Sequence, residues 1–209
     1  MQRPVSALAL AALLCAPAAA RPQPGSPAEI AAQQETAASA AFRYRAAIAG
    51  LLQLKPGMVA AEVGAGSGFV ARAMASQVGP AGRVIATTPD SKMAGYMAER
   101  ARADGLANFS AILASPDASG LESASVDAVA VVNAFSAFPH QAEMLRSLAA
   151  ALKPGGALLI VDLPREGIGT AQVGIDADDV VKLATAAGFK REAESSVVPG
   201  QYAIRFRKP

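Results

Sequence analysis

The run Glu-Val-Gly-Ala-Gly-Ser-Gly at residues 62–68 constrains the fold more than any other stretch of the chain. It follows a short apolar run, 58–63, and opens directly into 69–78, whose spacing predicts a helix. A strand that passes through three glycines into a helix turns sharply, and glycine adopts the left-handed backbone such a turn needs. The same glycines let a ligand approach within van der Waals distance of the main chain. The glycines at 64, 66 and 68 are spaced G-x-G-x-G, and Phe69 stands where the dinucleotide fingerprint G-x-G-x-x-G places its third glycine. A ring there obstructs the close helix packing and the pyrophosphate approach, which disfavours a nicotinamide dinucleotide and a nicotinamide oxidoreductase.

Strands and helices alternate around this turn. Apolar runs at 82–87, 108–113, 126–132 and 156–162 predict strands. Segments 91–103, 140–152 and 176–188 carry helical spacing, and Gly188 stops the last of them. Unbroken Val/Ile/Leu/Ala strands separated by helices indicate a parallel sheet covered on both faces. The rhythm breaks at the end, where 189–198, a Pro199-Gly200 turn and 201–207 predict a hairpin. Before the first strand, residues 28–54 are rich in Ala, Gln and Leu, predict one or two helices, and stop at Lys55-Pro56-Gly57.

With 209 residues, 52% hydrophobic and only 17% charged, the chain suits one globular domain rather than a disordered one. Net charge is +2 with no basic run, and the terminal Arg-Phe-Arg-Lys-Pro reads as a strand face, so a nucleic-acid partner is not expected. The first residues differ from the rest. Arg3, the apolar run from Val5 to Leu14 and the small Ala18 and Ala20 have the layout of an export signal over 1–20. The run is too short to span a bilayer, so no stable membrane insertion is expected after cleavage. Leu14 before Cys15 disfavours lipidation at that cysteine. Cleavage would remove the only cysteine and Arg3, leaving 18 basic and 17 acidic residues and no thiol chemistry. A disordered leader, 21–27, would then precede the helical segment 28–56 and the main domain 57–209, in a periplasmic or secreted protein.

Several motifs together resemble the class I S-adenosylmethionine-dependent methyltransferases. They are Ala-Ala-Glu-Val-Gly-Ala-Gly-Ser-Gly at 60–68, Val-Gly-Pro-Ala-Gly-Arg-Val-Ile-Ala at 78–86, the strand 125–135, Ala-Leu-Lys-Pro-Gly-Gly-Ala-Leu-Leu-Ile-Val-Asp at 151–162, and Leu-Ala-Thr-Ala-Ala-Gly-Phe-Lys at 183–190. The resemblance covers 41–208. It implies a doubly wound, Rossmann-like α/β fold with a mostly parallel seven-stranded sheet, an antiparallel hairpin at its end and an N-terminal helical extension. It also implies S-adenosylmethionine as cofactor, with the loop of Gly64, Ala65, Gly66, Ser67 and Gly68 cradling its amino-acid end. Glu62 would take the ammonium group, although a loop-capping carboxylate explains the same residue.

The chain departs from the family's pattern at several positions. An acidic residue usually ends the second strand and grips both ribose hydroxyls, whereas Thr88 stands there and the nearest carboxylate, Asp90, comes two residues later. Ser115 occupies the adenine-contacting position after the third strand, with Asp117 two residues on. Both Asp90 and Asp117 read equally well as solvated loop acids. Beyond the fourth strand, Asn133 could hold a polar group or cap the strand, and Phe135, Ser136 and Ala137 include no base. The only histidine, His140, is a general base only if its loop folds over the ligand; an exposed helix-start residue is the plainer reading. No metal site is expected from one histidine and no mature cysteine, and Asp176, Asp178 and Asp179 suit a helix start. Two functions follow: methyl transfer by in-line displacement to an unknown acceptor, or an exported module of the same fold that has lost catalysis.

Overall fold

A computed structural model of the protein describes residues 25–168 and 171–209. The expected export signal and most of the leader lie outside those residues. The N-terminal segment forms three short helices rather than one or two: α1, Pro27–Gln34; α2, Ala40–Arg43; and α3, Arg45–Leu51. Serine caps explain the starts of α1 and α2, whereas α3 starts at Tyr44 without a side-chain cap. Ser26 accepts from the Glu29 N–H and Ser39 from the Phe42 N–H, so each serine starts a new helix in an Ala-rich run that lacks a strong apolar period.

The strands are β1, Val59–Val63; β2, Arg83–Thr88; β3, Phe109–Leu113; β4, Val126–Val132; β5, Leu152–Asp162; β6, Glu166–Ile168; β7, Ala171–Val173; β8, Lys190–Ser195; and β9, Tyr202–Arg207. Seven of them form one sheet in the order β3-β2-β1-β4-β5-β9-β8. Pairings from β3 to β5 are parallel, while β9 runs antiparallel to both β5 and β8. The terminal hairpin read from Pro199 and Gly200 is therefore present, with Gly200 at φ 75°. The short antiparallel pair β6–β7 had no counterpart among the expected elements. β5 starts at Leu152, four residues earlier than expected, because Leu152 already pairs with Val126, and the Lys-Pro-Gly-Gly run, with Gly155 at φ 75°, forms an irregularity before pairing with β4 resumes at Ala157.

Four further helices cover the sheet: α4, Phe69–Val78; α5, Ser91–Ala103; α6, Gln141–Ala151; and α7, Ala177–Ala186. Alternate strand residues serve opposite faces, as the pleat requires. Ala60, Val84, Ala86 and Ala130 pack with Ile48, Val70, Met74 and Met97 of α3, α4 and α5. Ala61, Ile85, Val129 and Val131 pack with Met144, Leu145, Leu148 and Val180 of α6 and α7. Small Ala side chains on the first face let α4 lie close to the sheet, and larger Val and Ile fill the second. From β1 the chain runs outward to β2 and β3, then crosses back to β4 beside β1. Such a reversal leaves a crevice beyond the carboxyl ends of β1 and β4, where open α/β sheets bind ligands. No helix among the described residues is long and apolar enough to cross a membrane.

Candidate active site

The three glycines of the loop all have left-handed φ: 73° at Gly64, 52° at Gly66 and 76° at Gly68. A side chain would be strained at each on that ground alone. Space adds a second reason. A Cβ at Gly64 would lie 2.7 Å from the Ala134 Cβ, one at Gly66 would lie 2.6 Å from Gln34 Oε1, and one at Gly68 would lie 2.9 Å from Met97 Sδ. On their side-chain faces the glycines thus make room for the protein's own groups. The sequence suggested room for a ligand there; the ligand-sized space lies to either side of Gly64 instead.

One space is a small cavity of about 110 Å3, lined by Gln34, Ser39, Glu62, Gly64, Ala65, Gly66, Phe69 and Asn133 among others. Glu62 enters it from the end of β1 and is 2% exposed. Burial pushes its carboxyl up to about 8, against the opposing pull of the Ala71 N–H and the Arg72 guanidinium. The Ala71 N–H donates to Glu62 Oε2 at 2.7 Å. Ser67 has its side chain fully buried and its hydroxyl unpaired. Both main-chain groups of Ser67 are engaged: its N–H donates to Gln34 Oε1 at 2.8 Å, and its carbonyl accepts from Arg72 at 2.9 Å. Arg72 in turn pairs with Glu35 at 2.8 Å and with Asp104 at 3.1 Å. The end of α1 is thereby fastened to the glycine loop.

The second space, about 330 Å3, shares Gly64 and Asn133 with the first and extends past Thr88, Pro89, Ala114, Ser115, Pro116, Phe138 and Met144. None of its lining residues is ionisable. Thr88 ends β2, is 5% exposed, and accepts from the Asp90 N–H at 3.2 Å, which leaves its hydroxyl proton free to donate. Asp90 is the N-cap of α5, its carboxylate accepting from the Lys92 N–H at 2.8 Å. Ser115 closes a turn by accepting from the Ala118 N–H at 3.1 Å. Asn133 sits at φ 51°, a conformation asparagine tolerates better than most residues, and so turns the chain out of β4.

The structure therefore gathers Glu62, Gly64, Ala65, Gly66, Thr88, Ser115 and Asn133 around two adjoining cavities. It places Ser67, Gly68, Asp90 and Asp117 in other contacts. Asp117 pairs with His140 Nδ1, one on the loop after β3 and the other at the start of α6, each next in sequence to a proline that lines the larger cavity. That hydrogen bond raises the imidazole's pKa. Four residues were missed from sequence: Gln34, Glu35, Arg72 and Asp162. Asp162, at the end of β5, is 1% exposed and accepts from the Ser136 N–H at 2.9 Å, the Ser136 hydroxyl at 3.2 Å and the Leu163 N–H at 2.8 Å. It fixes the single 3-10 turn Phe135–Ala137 over the sheet, and it leaves Ser136 committed to structure. A carboxylate at a strand tip was the available signal; its partner 26 residues away was not.

Residues 60–156 match the family model described as a methyltransferase domain. Over that span, a little under half of the chain, the protein is similar to methyltransferase domains. A curated relative, the ubiquinone/menaquinone biosynthesis C-methyltransferase UbiE of Bordetella parapertussis, is 31% identical over 124 residues, which are 58% of this chain and 47% of the relative. The chain thus spans about half the length of the curated relatives it matches. Among solved methyltransferase-fold structures, an S-adenosylmethionine-dependent methyltransferase from Aquifex aeolicus superposes with a TM-score of 0.76 at 21% identity, covering 88% of this chain and 99% of that one. The phosphoethanolamine N-methyltransferase 2 of Haemonchus contortus, solved with S-adenosylhomocysteine, gives 0.68 at 16% identity, covering 80% of this chain and 53% of that one. At these identities the structural likeness establishes the fold.

Proposed function

We propose that the protein is an S-adenosylmethionine-dependent methyltransferase that holds its cofactor across the two cavities meeting at Gly64. The observation that carries this reading is Glu62, a buried carboxylate in a small cavity that adjoins a larger, uncharged one at the crevice between β1 and β4. The residues fit the group. A carboxylate whose burial favours its neutral form gains strongly from a cation brought beside it, and the cofactor's ammonium is such a cation. The larger cavity supplies apolar walls for a base and one neutral hydroxyl donor, Thr88, for a sugar.

When bound, S-adenosylmethionine supplies a methyl group already activated on a sulfonium, for in-line transfer to a nucleophile. The chain's own part is then to position and to exclude water. Phe138 and Met144 wall the larger cavity, and Asp162 fixes the turn that carries Ser136 beside it. With no ionisable side chain lining that cavity, the arrangement suits an acceptor that is nucleophilic without a protein base. The export-signal layout at 1–20 supports an exported protein.

A second reading, a binding module of this fold without catalysis, is favoured by the volume of only about 110 Å3 beside Glu62 and by the neutral Thr88. One titration separates them. Calorimetry with S-adenosylmethionine and the full chain should give micromolar binding, and transfer from labelled cofactor to a panel of small acceptors should follow. Absence of heat at millimolar cofactor rejects the enzyme reading; tight binding without turnover favours the module.

A further inference from the structure

Three of the glycine loop's N–H groups are already used within the protein. The Ala65 N–H donates to the Thr87 carbonyl at 3.0 Å, the Gly68 N–H to the Ala65 carbonyl at 2.7 Å, and the Ser67 N–H to Gln34 Oε1 at 2.8 Å. An adenosyl amino acid nevertheless brings a carboxylate to this end of the site. Glu62 meets its ammonium but repels its carboxylate, which needs a donor other than Glu62.

We propose that Gln34, contributed by the N-terminal segment, is the residue that holds this carboxylate; the proposal rests on the cofactor reading above. The backbone donor at Ser67 fixes the orientation of the amide, since only the oxygen can accept. The NH2 group is then the free end. Both amide atoms lie over Gly66, with Nε2 2.9 Å from where a Cβ would stand, and Gln34 lines the small cavity together with Glu62. Among the described residues Nε2 donates no hydrogen bond to the protein. Gln34 therefore relays the Ser67 donor: it accepts the backbone N–H on one atom and presents a donor, polarised by that bond, from the other. The next residue, Glu35, reaches the carbonyl of the same residue through Arg72, which donates to the Ser67 carbonyl. Consecutive residues at the end of α1 thus hold both main-chain groups of one residue. The N-terminal segment is part of the site, not merely adjacent to it.

The test uses the full chain, S-adenosylhomocysteine, and 5′-methylthioadenosine, which lacks the amino-acid end. Gln34→Glu keeps an acceptor for the Ser67 N–H and replaces the donor with a negative charge. Calorimetry should show S-adenosylhomocysteine binding weakened by about 10–100-fold in this variant. Binding of 5′-methylthioadenosine and the unfolding temperature should stay at the wild-type values. Gln34→Ala gives a second variant with the same direction of effect. Undiminished S-adenosylhomocysteine affinity in Gln34→Glu overturns the proposal, and so does an equal loss for both ligands, which would make Gln34 a fastening of the segment alone. A wild-type protein that binds neither ligand overturns the cofactor reading itself, and this role with it.

Discussion

The two ends of the site are built on opposite physical terms. Around the small cavity, charge is buried and answered: Glu62 by the Ala71 N–H, Arg72 by Glu35, Asp104 and the Ser67 carbonyl. Around the larger cavity there is no charge in the lining, and the polar groups are a threonine, a serine and an asparagine. The acids nearest that end are spent on structure, Asp90 as a helix cap and Asp117 against His140. The difference teaches where recognition resides. A low-dielectric site with fixed partners discriminates strongly, while neutral hydroxyls in an apolar pocket orient a ligand at modest gain. On the proposed cofactor reading, the amino-acid end sets affinity and the adenosyl end mainly supplies shape.

The sharpest way to break that contrast is to remove the charge that organises the small cavity. Arg72→Ala leaves the Ser67 carbonyl unpaired and Glu35 with only the more distant Arg100, and breaking a largely buried pair this way costs roughly 3 kcal/mol. Denaturant unfolding should show a loss of that size. A loss below about 1 kcal/mol, the range of exposed pairs, would mean that the network is peripheral. A smaller effect comes from adding charge at the neutral end. Thr88→Asp keeps an acceptor for the Asp90 N–H and offers a second oxygen to a ribose diol. S-adenosylhomocysteine binding should tighten by about 10–100-fold, the worth of one or two charge-assisted hydrogen bonds. Unchanged affinity would place the ribose away from the tip of β2 and remove the asymmetry.

Much of the fold was legible because strands buried on both faces read as unbroken apolar runs. Helices α4 and α5 and strand β4 fall where the periodicity put them. The N-terminal segment was harder, since its Ala-rich stretch has little apolar contrast and the starts of α1 and α2 depend on the Ser26 and Ser39 caps. The pair β6–β7 has strands of three residues, too short for any period to register. In the site, residues next to a strand tip could be found from the order of motifs: Glu62, Thr88, Ser115 and Asn133 all line a cavity. Gln34, Glu35 and Arg72 could not. Their contacts span 33 and 37 positions, and nothing local distinguishes them from solvated polar residues. The glycines carried a different ambiguity, because a loop that admits a ligand and one that admits Gln34, Ala134 and Met97 have the same sequence.

The central claim is that the buried Glu62 carboxylate is the counter-charge for the cofactor's ammonium. Its most direct measurement is the affinity for S-adenosylhomocysteine against pH, in the wild type and in Glu62→Gln. With the empty-site carboxyl at about 8, ligand binding below that pH must expel a proton. Wild-type affinity should therefore rise by up to about tenfold per pH unit between about pH 6 and 8. The Glu62→Gln profile should be flat and, at about pH 8, at least about tenfold weaker. Matching profiles, or a variant that binds as tightly as the wild type, would contradict the account.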